Sequence, residues 1–576
     1  VYAAFGRGAR RDWKRAARKT VFSHYWMAIM VCLVAAFLGT EFTGSLESLH
    51  FTRQKWDVIS NFLASFGRPG AAANSRGVFA IAVNKIADGS LQNIVNNTIM
   101  SLAGSSEFWQ SFGIVVSSLV SMTYWVLVTH TFVVILRRLF MEMRVYEEVP
   151  PYRALYLHSA RCWGRTSLAL LRVAVQRGLW WLTIIGGAIK TFSYYLCGFI
   201  LAENPTMKGG DAIALSRKMM NGHKWECFLL ELSFVPWHLL SLATFGLSSL
   251  FYSSAYLSAA RCEFYAAVRA QVKAEGEAQA LRDTYLFEKA GAKTLRRAYN
   301  DLGRPAEKLP ARVYGNKVTR FFGECLGVTL FVNPQDVARE KIQDREYRLR
   351  YMRRCEQGLS YPIRLSPLLQ YEHKDHEPAL FTRKYPVTTL VLLFFLFSII
   401  GWCWEVVLHL LSEGTFVNRG VLHGPWLPIY GTGGVLVLLA LYKLRDKPWL
   451  EFWATVVVCG VVEYFTAYYL ETVYDRRWWD YAGYFLNLHG RICAEGLLVF
   501  GLGGMAVVYG VAPLFDNLLH KVRHSVLIGL CAALIALFCI DQAYSHFHPN
   551  EGEGITDEVV YKTDDARIRL DEEAFV

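Results

Sequence analysis

The sequence lacks the patterns that mark common redox, zinc and nucleotide-hydrolysing proteins. None of its 12 cysteines forms a CxxC pair, and none lies in the predicted loop between Thr40 and Ser111. Neither a disulfide framework nor a cysteine zinc site is therefore predicted. The chain also has no GxxxxGK[ST], no HExxH and no serine nucleophile elbow, so the P-loop, zincin and α/β-hydrolase signatures are all absent.

Long apolar blocks are what the sequence does contain. The chain has 576 residues, 53% of them hydrophobic. About 18 apolar residues are enough for a helix to cross a hydrocarbon core of about 30 Å, and lipid offers no partner for a free backbone N–H. We therefore predict an all-α, polytopic integral membrane protein with about nine transmembrane helices. The predicted spans are Val21–Gly39, Ile114–Leu136, Leu179–Leu201, Cys227–Tyr252, Val387–Leu411, Phe416–Tyr442, Phe452–Leu470, Ile492–Phe515 and Val526–Ile540.

A charged interval divides these spans into two modules. Residues 1–265 form an N-terminal membrane module of four spans with a long extracytoplasmic loop at 40–111, and residues 385–541 form a C-terminal membrane module of five spans. Residues 266–384 are a charged cytoplasmic linker with helical patterns, and residues 542–576 are an acidic tail. The charged helices of the linker can be simply solvated, or they can be a docking surface for a soluble partner.

The distribution of Lys and Arg predicts the orientation in the membrane. The basic segments Gly6–Lys19, Arg137–Arg144, Lys443–Lys447 and His520–His524 fall on one side of a nine-span chain. The positive-inside rule makes that side cytoplasmic, together with the N-terminus and the linker, and we expect a bacterial plasma membrane. The basic helical segment Asn204–Trp225 conflicts with this count: either a span is miscounted or the segment lies on the membrane surface.

Two further expectations concern the basic residues. Nothing in the stretch before Val21 resembles a cleavage site, so we expect Val21–Gly39 to be a retained anchor. The formal charge of +12 is explained by basic loops that lie against anionic headgroups. Membrane lipids, and not nucleic acid, are therefore the expected partners.

Polar residues gather in the second module at positions where the apolar pattern predicts membrane. Ionisable groups at this depth are costly unless they are paired or reach water, so the cluster needs a cause. We predict that these residues form a polar intramembrane site for a substrate, with no metal and with no catalytic role assigned. They are Glu405, Asn418, Arg419, His423, Tyr430, Glu463, Asp480, Asn487, Arg491 and Glu495.

The arrangement of this cluster has two interpretations. Three carboxylates, on Glu405, Glu463 and Asp480, can face the two arginines, Arg419 and Arg491, as fixed pairs that serve only assembly. Alternatively, they line a polar cavity, which the sequence FVNRGVLHGPWLPIYGTGG favours, because its glycines and prolines predict a re-entrant or broken helix. His423 and His489 would then be candidates for proton transfer.

Both modules resemble known membrane families. In the first, ENP, AIALSRKMMNGHKW and LSFVPWHLL, within residues 200–265, resemble a bacterial family catalogued as domain of unknown function 975. In the second, GWCWEVV, FVNRGVLHGPWLPIYGTGG, the isolated Glu463 and RRWWDYAGYFLNLHGRICAEG resemble the CmpB-type ABC transporter family (type IV), over residues 388–516. The first resemblance implies no known reaction, and the second implies transport.

Three functions follow from these observations as alternatives. The first is an ABC-type permease component, whose ATPase must be a separate chain, because the P-loop is absent. The second is an intramembrane enzyme that acts on a lipid or isoprenoid headgroup through its carboxylates, histidines and arginines. The third is a non-catalytic membrane scaffold. No cofactor is predicted, and the sequence leaves open the substrate, the direction and energy source of transport, and the oligomeric state.

Overall fold

The computed structural model describes residues 5–42, 107–244, 246–276, 280–303, 316–330, 334–367, 383–413, 416–474, 481 and 488–550. Within these ranges the chain is almost entirely helical, and the only strands are β1 (Val328–Thr329) and β2 (Tyr385–Pro386), which pair in parallel. The predicted all-α class is therefore confirmed. The described residues fall into two compact units: unit 1 holds residues 5–42, 107–303 and 345–367, and unit 2 holds residues 316–344 and 383–550.

Unit 1 is built from short and medium helices. Its helices are α1 (Arg7–Ser23), α2 (Tyr25–Phe37), α3 (Glu107–Tyr124), α4 (His130–Val145), α5 (Tyr156–Ser159), α6 (Trp163–Trp181), α7 (Ile185–Ser193), α8 (Cys197–Glu203), α9 (Gly209–Met219), α10 (Lys224–Leu232), α11 (Val235–Ala243), α12 (Ser254–Ala274) and α13 (Ala292–Ala298). Further elements are π-helical turns at Trp125–Thr129 and Ser249–Ser253 and 3₁₀-helices at Pro151–Leu155, Thr284–Leu286, Asn300–Leu302 and Ile363–Leu365.

Unit 2 contains the longest apolar helices. In chain order its elements are α14 (Lys317–Phe321), β1, α15 (Pro334–Glu356), β2, α16 (Val387–Glu413), α17 (Pro428–Ala440), α18 (Pro448–Tyr474), α19 (Ala494–Ala506), α20 (Ala512–Leu519) and α21 (His524–Phe547). Further elements are π-helical turns at Phe322–Leu326 and Val507–Val511 and a 3₁₀-helix at Tyr442–Leu444. The boundary between the units lies within α15, so the predicted linker at 266–384 contributes residues to both.

The described ranges contain seven helical stretches that are long and apolar enough to cross a membrane, or eight if a bent pair is one span. The seven stretches are Gln110–Val145, Ile185–Glu203, Lys224–Ala243, Val387–Val407, Pro448–Tyr469, Gly496–Leu519 and His524–Phe547. Each overlaps a predicted span, and the chain is a multi-pass membrane protein. The sixth predicted span contains only a 13-residue apolar helix, α17, which makes the predicted count of nine approximate.

The first predicted span, Val21–Gly39, is not one straight helix. Helices α1 and α2 meet at His24 with a bend of 97°. Buried residues on α1 recur every four positions, at Ala9, Trp13, Ala17 and Val21, and α1 packs on α12 through this face. Val21 therefore lies in the last turn of the amphipathic helix α1, and α1 with α2 counts as a span only if the bent pair crosses the membrane as one unit.

A second correction concerns the basic segment Arg137–Arg144. These residues lie on α4, not in a loop, and Arg137 and Arg138 are 7% and 1% exposed. Arg137 pairs with Glu41, and Arg138 pairs with Glu142 and Asp283. Arg137 and Arg138 are therefore part of a buried ionic network, and they do not lie against anionic headgroups, as the explanation of the net charge expected of basic segments.

The basic segment Asn204–Trp225 is helical where its pattern predicts. Helix α9 buries one face, made of Ala212, Ile213, Ser216 and Met219, against α6 and α8. The hydroxyl of Ser216 donates to the carbonyl of Ser193, at 2.9 Å. Its cations, Arg217 and Lys218, lie on the exposed face. This helix is part of the packed core of unit 1. The side of the membrane on which the segment lies stays open.

Candidate functional site

The candidate site in unit 2 is built around an irregular segment, residues 416–427, between α16 and α17. Leu427 N–H donates to the carbonyl of Ser398, at 3.0 Å, and Arg419 contacts Glu405. Ser398 and Glu405 lie 11 and 18 residues after Val387, the start of the span, which is about 17 and 27 Å along the helix. The segment therefore contacts the part of α16 that is predicted to lie at membrane depth, in the half remote from the start of the helix.

Helix α17 begins where the sequence allows it. Pro428 occupies the first turn, where a missing N–H costs nothing, and Leu427 before it is extended. Helices α16 and α17 approach closely through glycines: a Cβ on Gly431 would lie 2.2 Å from the Ser398 hydroxyl and 2.5 Å from the Phe394 carbonyl. The irregular backbone between α16 and α17 and the close packing of these two helices therefore both result from a stretch rich in glycine and proline.

Polar groups on the last helix and just after it satisfy the backbone of the irregular segment. The carboxylate of Asp541, on α21, accepts from the N–H groups of His423 (3.2 Å) and Gly424 (3.1 Å) and from the indole of Trp426 (2.7 Å). The amide of Asn550 donates to the carbonyls of Asn418 and Gly420, both at 2.9 Å. Irregular backbone is tolerated at this depth only with such partners. Asp541 therefore holds the segment in place.

Asn418 also stabilises the irregular segment, through one contact with α16 and one within the segment. Its side-chain oxygen accepts from the indole of Trp402, on α16, at 2.7 Å, and its amide donates to the carbonyl of His423, at 3.0 Å. The ring of His423 lies 3.0 Å from the Ser545 hydroxyl. Asn418 and His423, two of the predicted site residues, thus act on the conformation of the segment.

Glu405 is the centre of a first polar group. Its carboxylate accepts from Arg419 at 3.3 Å and from the Tyr430 hydroxyl at 3.0 Å. The Arg419 side chain is 11% exposed and that of Glu405 is 28% exposed. Tyr430 reaches this position because Gly401 has no side chain: a Cβ there would lie 2.2 Å from the Tyr430 ring. The sequence predicted that Glu405, Glu463 and Asp480 face Arg419 and Arg491 without assigning pairs, and the structure places Glu405, Arg419 and Tyr430 together.

Glu463, on α18, has a different environment. One carboxylate oxygen accepts from the Tyr481 hydroxyl at 3.2 Å. The other oxygen is buried and has no hydrogen-bond partner among the described residues. Burial and the Glu463 carboxylate raise the pKa of the Tyr481 hydroxyl, and Tyr430 adds a smaller effect in the same direction. Glu463 therefore lies beside the Glu405 group and faces a neutral hydroxyl where a cation would be expected.

Arg491 lies in a second polar group with a carboxylate that the sequence analysis did not select. It donates to Glu471, on α18, at 2.7 and 3.0 Å, and to the Tyr464 hydroxyl at 3.1 Å. The Tyr464 hydroxyl also lies 2.9 Å from Nδ1 of His489. His489 has a positive φ of 55° and lies in a tight turn, closed by pairing of Leu488 with Ile492, that returns the chain to α19.

Some predicted residues lie beyond what the structure describes. Asp480 and Asn487 are outside the described ranges, as is the side chain of Glu495, in the first turn of α19. Cys493 is buried, and its sulfur accepts from the N–H of Gly496 as the N-cap of α19, which agrees with a packing role. Within the described ranges, no group of three or more His, Cys, Asp or Glu side chains could hold a metal ion.

Three residues of these polar groups are absent from the predicted site: Asp541, Glu471 and Tyr464. Asp541 was assigned to the end of the module, but α21 continues to Phe547 and carries it on an apolar helix. The sequence does carry a signal for the role of Asp541, because Ser545 follows it by one helical turn on an otherwise apolar helix. In the structure these two side chains hydrogen bond at 3.3 Å. Glu471 is on the last turns of α18, beyond the apolar block that defined the seventh span.

The comparisons with known proteins agree with both resemblances. No curated protein and no solved structure matches the chain. Residues 17–272 match the model of the family described as Protein of unknown function (DUF975). Residues 392–546 match the model of the family described as Putative ABC-transporter type IV, and this match covers α16 to α21 and the candidate site. The chain is a multi-pass membrane protein whose N-terminal part is similar to the DUF975 family and whose C-terminal part is similar to the family described as Putative ABC-transporter type IV.

Proposed function

We propose that unit 2 is the membrane component of an ABC-type transport system, and that its polar cluster binds the transported solute. The family match supports transport, and an ATP-driven version needs an ATPase from another chain, because the sequence has no P-loop. We further propose that the chain resides in a bacterial plasma membrane with its N-terminus and linker in the cytoplasm. Membrane lipids and the ATPase are its proposed partners.

The observation that carries this proposal is the carboxylate of Glu463. Its described partner is a neutral hydroxyl, and its second oxygen is buried without a partner in the described chain. A buried acceptor left unsatisfied typically costs 1–3 kcal/mol, and more if it is charged. Such a cost is explained if the second oxygen binds a solute that offers a cation or a hydrogen-bond donor.

The surroundings of Glu463 fit this role. Glu405 is neutralised by Arg419, and Arg491 is paired with Glu471, so the described charged neighbours are already paired with one another. The irregular segment at 416–427 carries Arg419, the partner of Glu405, and transporters commonly build their solute sites on such interrupted helices. In this proposal the solute meets the Glu463 carboxylate, which has no cation partner among the described residues, beside groups whose charges are paired.

The experiment is transport in proteoliposomes. The chain is purified from its native host in mild detergent together with any ATPase that binds it, and reconstituted. The vesicles are incubated with ATP and a polar metabolite extract of the host, and mass spectrometry measures the solutes that accumulate. We expect accumulation that Glu463→Gln abolishes.

The matched control is Glu451→Gln. Glu451 is also buried on α18, accepts from the Thr455 hydroxyl at 3.0 Å and has a second buried oxygen without a partner in the described chain, but it lies 12 residues away, about 18 Å along the helix and outside the polar cluster. We expect this variant to retain transport. If no ATPase copurifies and no solute accumulates with the wild-type chain, the transport proposal fails. If Glu463→Gln and Glu451→Gln lost transport equally, Glu463 would have no specific role in binding the solute.

A second candidate function rests on the hydrogen-bonded chain of His489, Tyr464 and Arg491. A histidine that contacts a tyrosine hydroxyl beside a guanidinium can move a proton near a phosphate-holding cation. This geometry would suit an enzyme that acts on a lipid headgroup. Turnover of host lipid extract by the purified chain, lost in both Glu463→Gln and Arg491→Ala, would favour this function over transport.

A further inference from the structure

Two helical hairpins in unit 1 end in apolar tips. The first hairpin, residues 163–205, consists of α6, a turn at residues 182–184, and α7 with α8. The second hairpin, residues 224–261, consists of α10 with α11, a turn, and the π-helical turn and first residues of α12. The third and fourth predicted spans, Leu179–Leu201 and Cys227–Tyr252, each contain the tip of one hairpin, although each predicted span counts as one crossing.

The two arms of the first hairpin are antiparallel neighbours. At the base, the hydroxyl of Thr166 donates to the carbonyl of Pro205 at 3.2 Å. Near the tip, the ammonium group of Lys190 lies 4.6 Å from the centre of the Trp180 ring. The sequence separation of contacting residues therefore falls from 39 at the base to 10 near the tip, as it does in a hairpin.

The second hairpin has the same arrangement. At the base, the carboxylate of Glu231 accepts from Arg261 at 2.8 and 3.0 Å. Closer to the tip, the ring centres of Trp237 and Tyr252 are 5.2 Å apart. Here the sequence separation falls from 30 to 15, so the chain leaves the base, turns and returns to it.

The two hairpins point in the same direction. Their return arms, α8 and α12, contact each other through Phe199 and Tyr265, whose stacked ring centres are 4.9 Å apart. One turn later on both helices, Glu203 accepts from Arg269 at 2.8 Å. The return arms are therefore parallel. Because each arm runs from its tip towards this contact, both tips lie at one end of unit 1 and both bases at the other.

The base end also holds the N-terminal helix and part of the predicted linker. Arg10, on α1, pairs with Glu226, at the start of the second hairpin. The side-chain amide of Asn204, at the end of the first hairpin, donates to the carbonyl of Ala280, in the predicted linker, at 3.2 Å. The basic segment Asn204–Trp225, which connects the two hairpins, therefore lies at the same end of unit 1 as α1 and these linker residues.

The tips are apolar and open. Neither residues 179–189 nor residues 235–251 contain Lys, Arg, Asp or Glu. Large apolar side chains at the two tips are 62–81% exposed: Leu182, Ile184, Ile185, Leu239 and Leu242. Exposed apolar surface of this kind marks a site of interaction with a membrane or another protein. Both tips belong to helical stretches that are apolar enough for a membrane, so lipid is the partner that their composition fits.

The arms are long enough to carry the tips into hydrocarbon. Leu182 lies 16 residues beyond Thr166, and Thr244 lies 13 residues beyond Glu231. These separations are at most about 24 and 20 Å along a helix, and the hydrocarbon core is about 30 Å thick. Insertion from the tip exchanges water for acyl chains around the exposed apolar side chains, which is favourable.

We propose that both hairpins enter the membrane from the side on which α1 and the linker residues of unit 1 lie, and return to that side. The two tips are the interaction surface, and the acyl-chain region of the bilayer is the partner. The basic segment Asn204–Trp225 then lies on the same side as α1, which removes its conflict with the predicted orientation. The inference is independent of the proposed transport function, because it concerns unit 1 only.

The first measurement determines the side of single cysteines in the full chain. The four native cysteines that are not buried are first replaced by serine: Cys325, Cys403, Cys459 and Cys539. Asn221→Cys, in the exposed turn between the hairpins, is then compared with Glu275→Cys, at an exposed position after α12. A membrane-impermeant maleimide is applied to right-side-out and to inverted vesicles. The chain without an added cysteine is the control for labelling of the buried native cysteines.

The second measurement determines whether lipid covers the tips. Leu242→Cys and Leu182→Cys, one in each tip, carry a fluorophore in vesicles that contain brominated phosphatidylcholine, which quenches only probes in contact with acyl chains. Asn221→Cys with the same fluorophore is the matched control. Because the two tip variants replace exposed side chains, and because either one tests its own hairpin, misfolding of one does not decide the result.

We expect Asn221→Cys and Glu275→Cys to be labelled in the same vesicle orientation, and both tip probes to lose fluorescence while the Asn221→Cys probe keeps it. Labelling of Asn221→Cys and Glu275→Cys in opposite orientations would overturn the proposal. It would also be overturned if the tip cysteines reacted with the impermeant maleimide from the side of Glu275→Cys. Tip probes that brominated lipid does not quench would show that water or another protein covers the tips.

Discussion

The two units each contain buried charges, but they compensate them differently. In unit 1, the Glu142 carboxylate accepts from Arg138 at 2.9 Å and from Arg153 at 2.8 Å, and Asp283 pairs with Arg138 at 2.9 Å. All four side chains are 7% exposed or less. In unit 2, Glu405 has a similar guanidinium partner, whereas Glu463 has a hydroxyl partner only. Each carboxylate of the unit 1 network therefore has a cation, and Glu463 has none among the described residues.

This difference separates a structural network from a candidate binding site. The carboxylates and guanidiniums of unit 1 come from α4, the turn at Pro151–Leu155 and the residue before Thr284, so the network ties linker residues to a membrane helix. Tyr361 adds a hydrogen bond to Asp283 at 2.7 Å. Removing one member leaves a charge buried alone, and this makes such networks sensitive to substitution. Glu463 has no such cation among the described residues, and this is the basis of its proposed role in binding.

The largest expected effect is in unit 1. Glu142→Gln would leave Arg138 and Arg153 buried without their shared carboxylate, and we expect it to lower the free energy of unfolding by about 3–5 kcal/mol. Thermal unfolding in detergent micelles measures the change. Glu275→Gln, at an exposed position after α12, is the control and should change stability by less than about 0.5 kcal/mol. A loss below about 1 kcal/mol for Glu142→Gln would show that the network is not structural.

A smaller effect is expected where unit 2 depends on a single carboxylate. Asp541→Ala removes the acceptor for two backbone N–H groups and one indole of the irregular segment, and should cost roughly 3 kcal/mol. Hydrogen exchange measured by mass spectrometry should then increase over residues 416–427. Asp446→Ala, an exposed residue before α18, is the control and should leave this exchange unchanged. Unaltered exchange in Asp541→Ala would show that other groups hold the segment.

A third prediction tests the contact between α16 and α17. Gly401→Ala would bring a methyl group within 2.2 Å of the Tyr430 ring and should separate Tyr430 from Glu405, at a cost of about 1–3 kcal/mol. Gly433→Ala is the matched control, because a Cβ there meets nothing within 4 Å. It should be neutral or stabilising by up to about 1 kcal/mol, since alanine favours helix. If the two variants were equally stable in thermal unfolding, the close approach of the helices would be disproved.

The helices of both units could largely be predicted from the sequence, because long apolar blocks have few alternatives in lipid. Seven predicted spans overlap helices long enough to cross. The bend at His24 could not be predicted, because neither glycine nor proline marks it. The bend accompanies the packing of α1 on α12 through the face that carries Trp13. This is a tertiary contact, which a local sequence pattern does not show.

The candidate site could be predicted in part. Residue type and position relative to the spans selected Glu405, Arg419 and Tyr430, which the structure places in contact. Pair assignments were harder, since any carboxylate near the eighth span could have faced Arg491, and distance along the chain does not favour Glu471 over the others. The role of Asp541 depends on a contact across 117 or more residues of sequence, which only the fold reveals.

The account depends most on the absence of a compensating cation at Glu463, and thermal unfolding of Glu463→Gln tests this directly beside Glu142→Gln. The substitution removes a buried charge that has no described partner cation, so the free energy of unfolding should rise or change by less than about 1 kcal/mol. A loss of about 3 kcal/mol or more, comparable to that of Glu142→Gln, would show that Glu463 is a paired structural carboxylate and would contradict the proposed site.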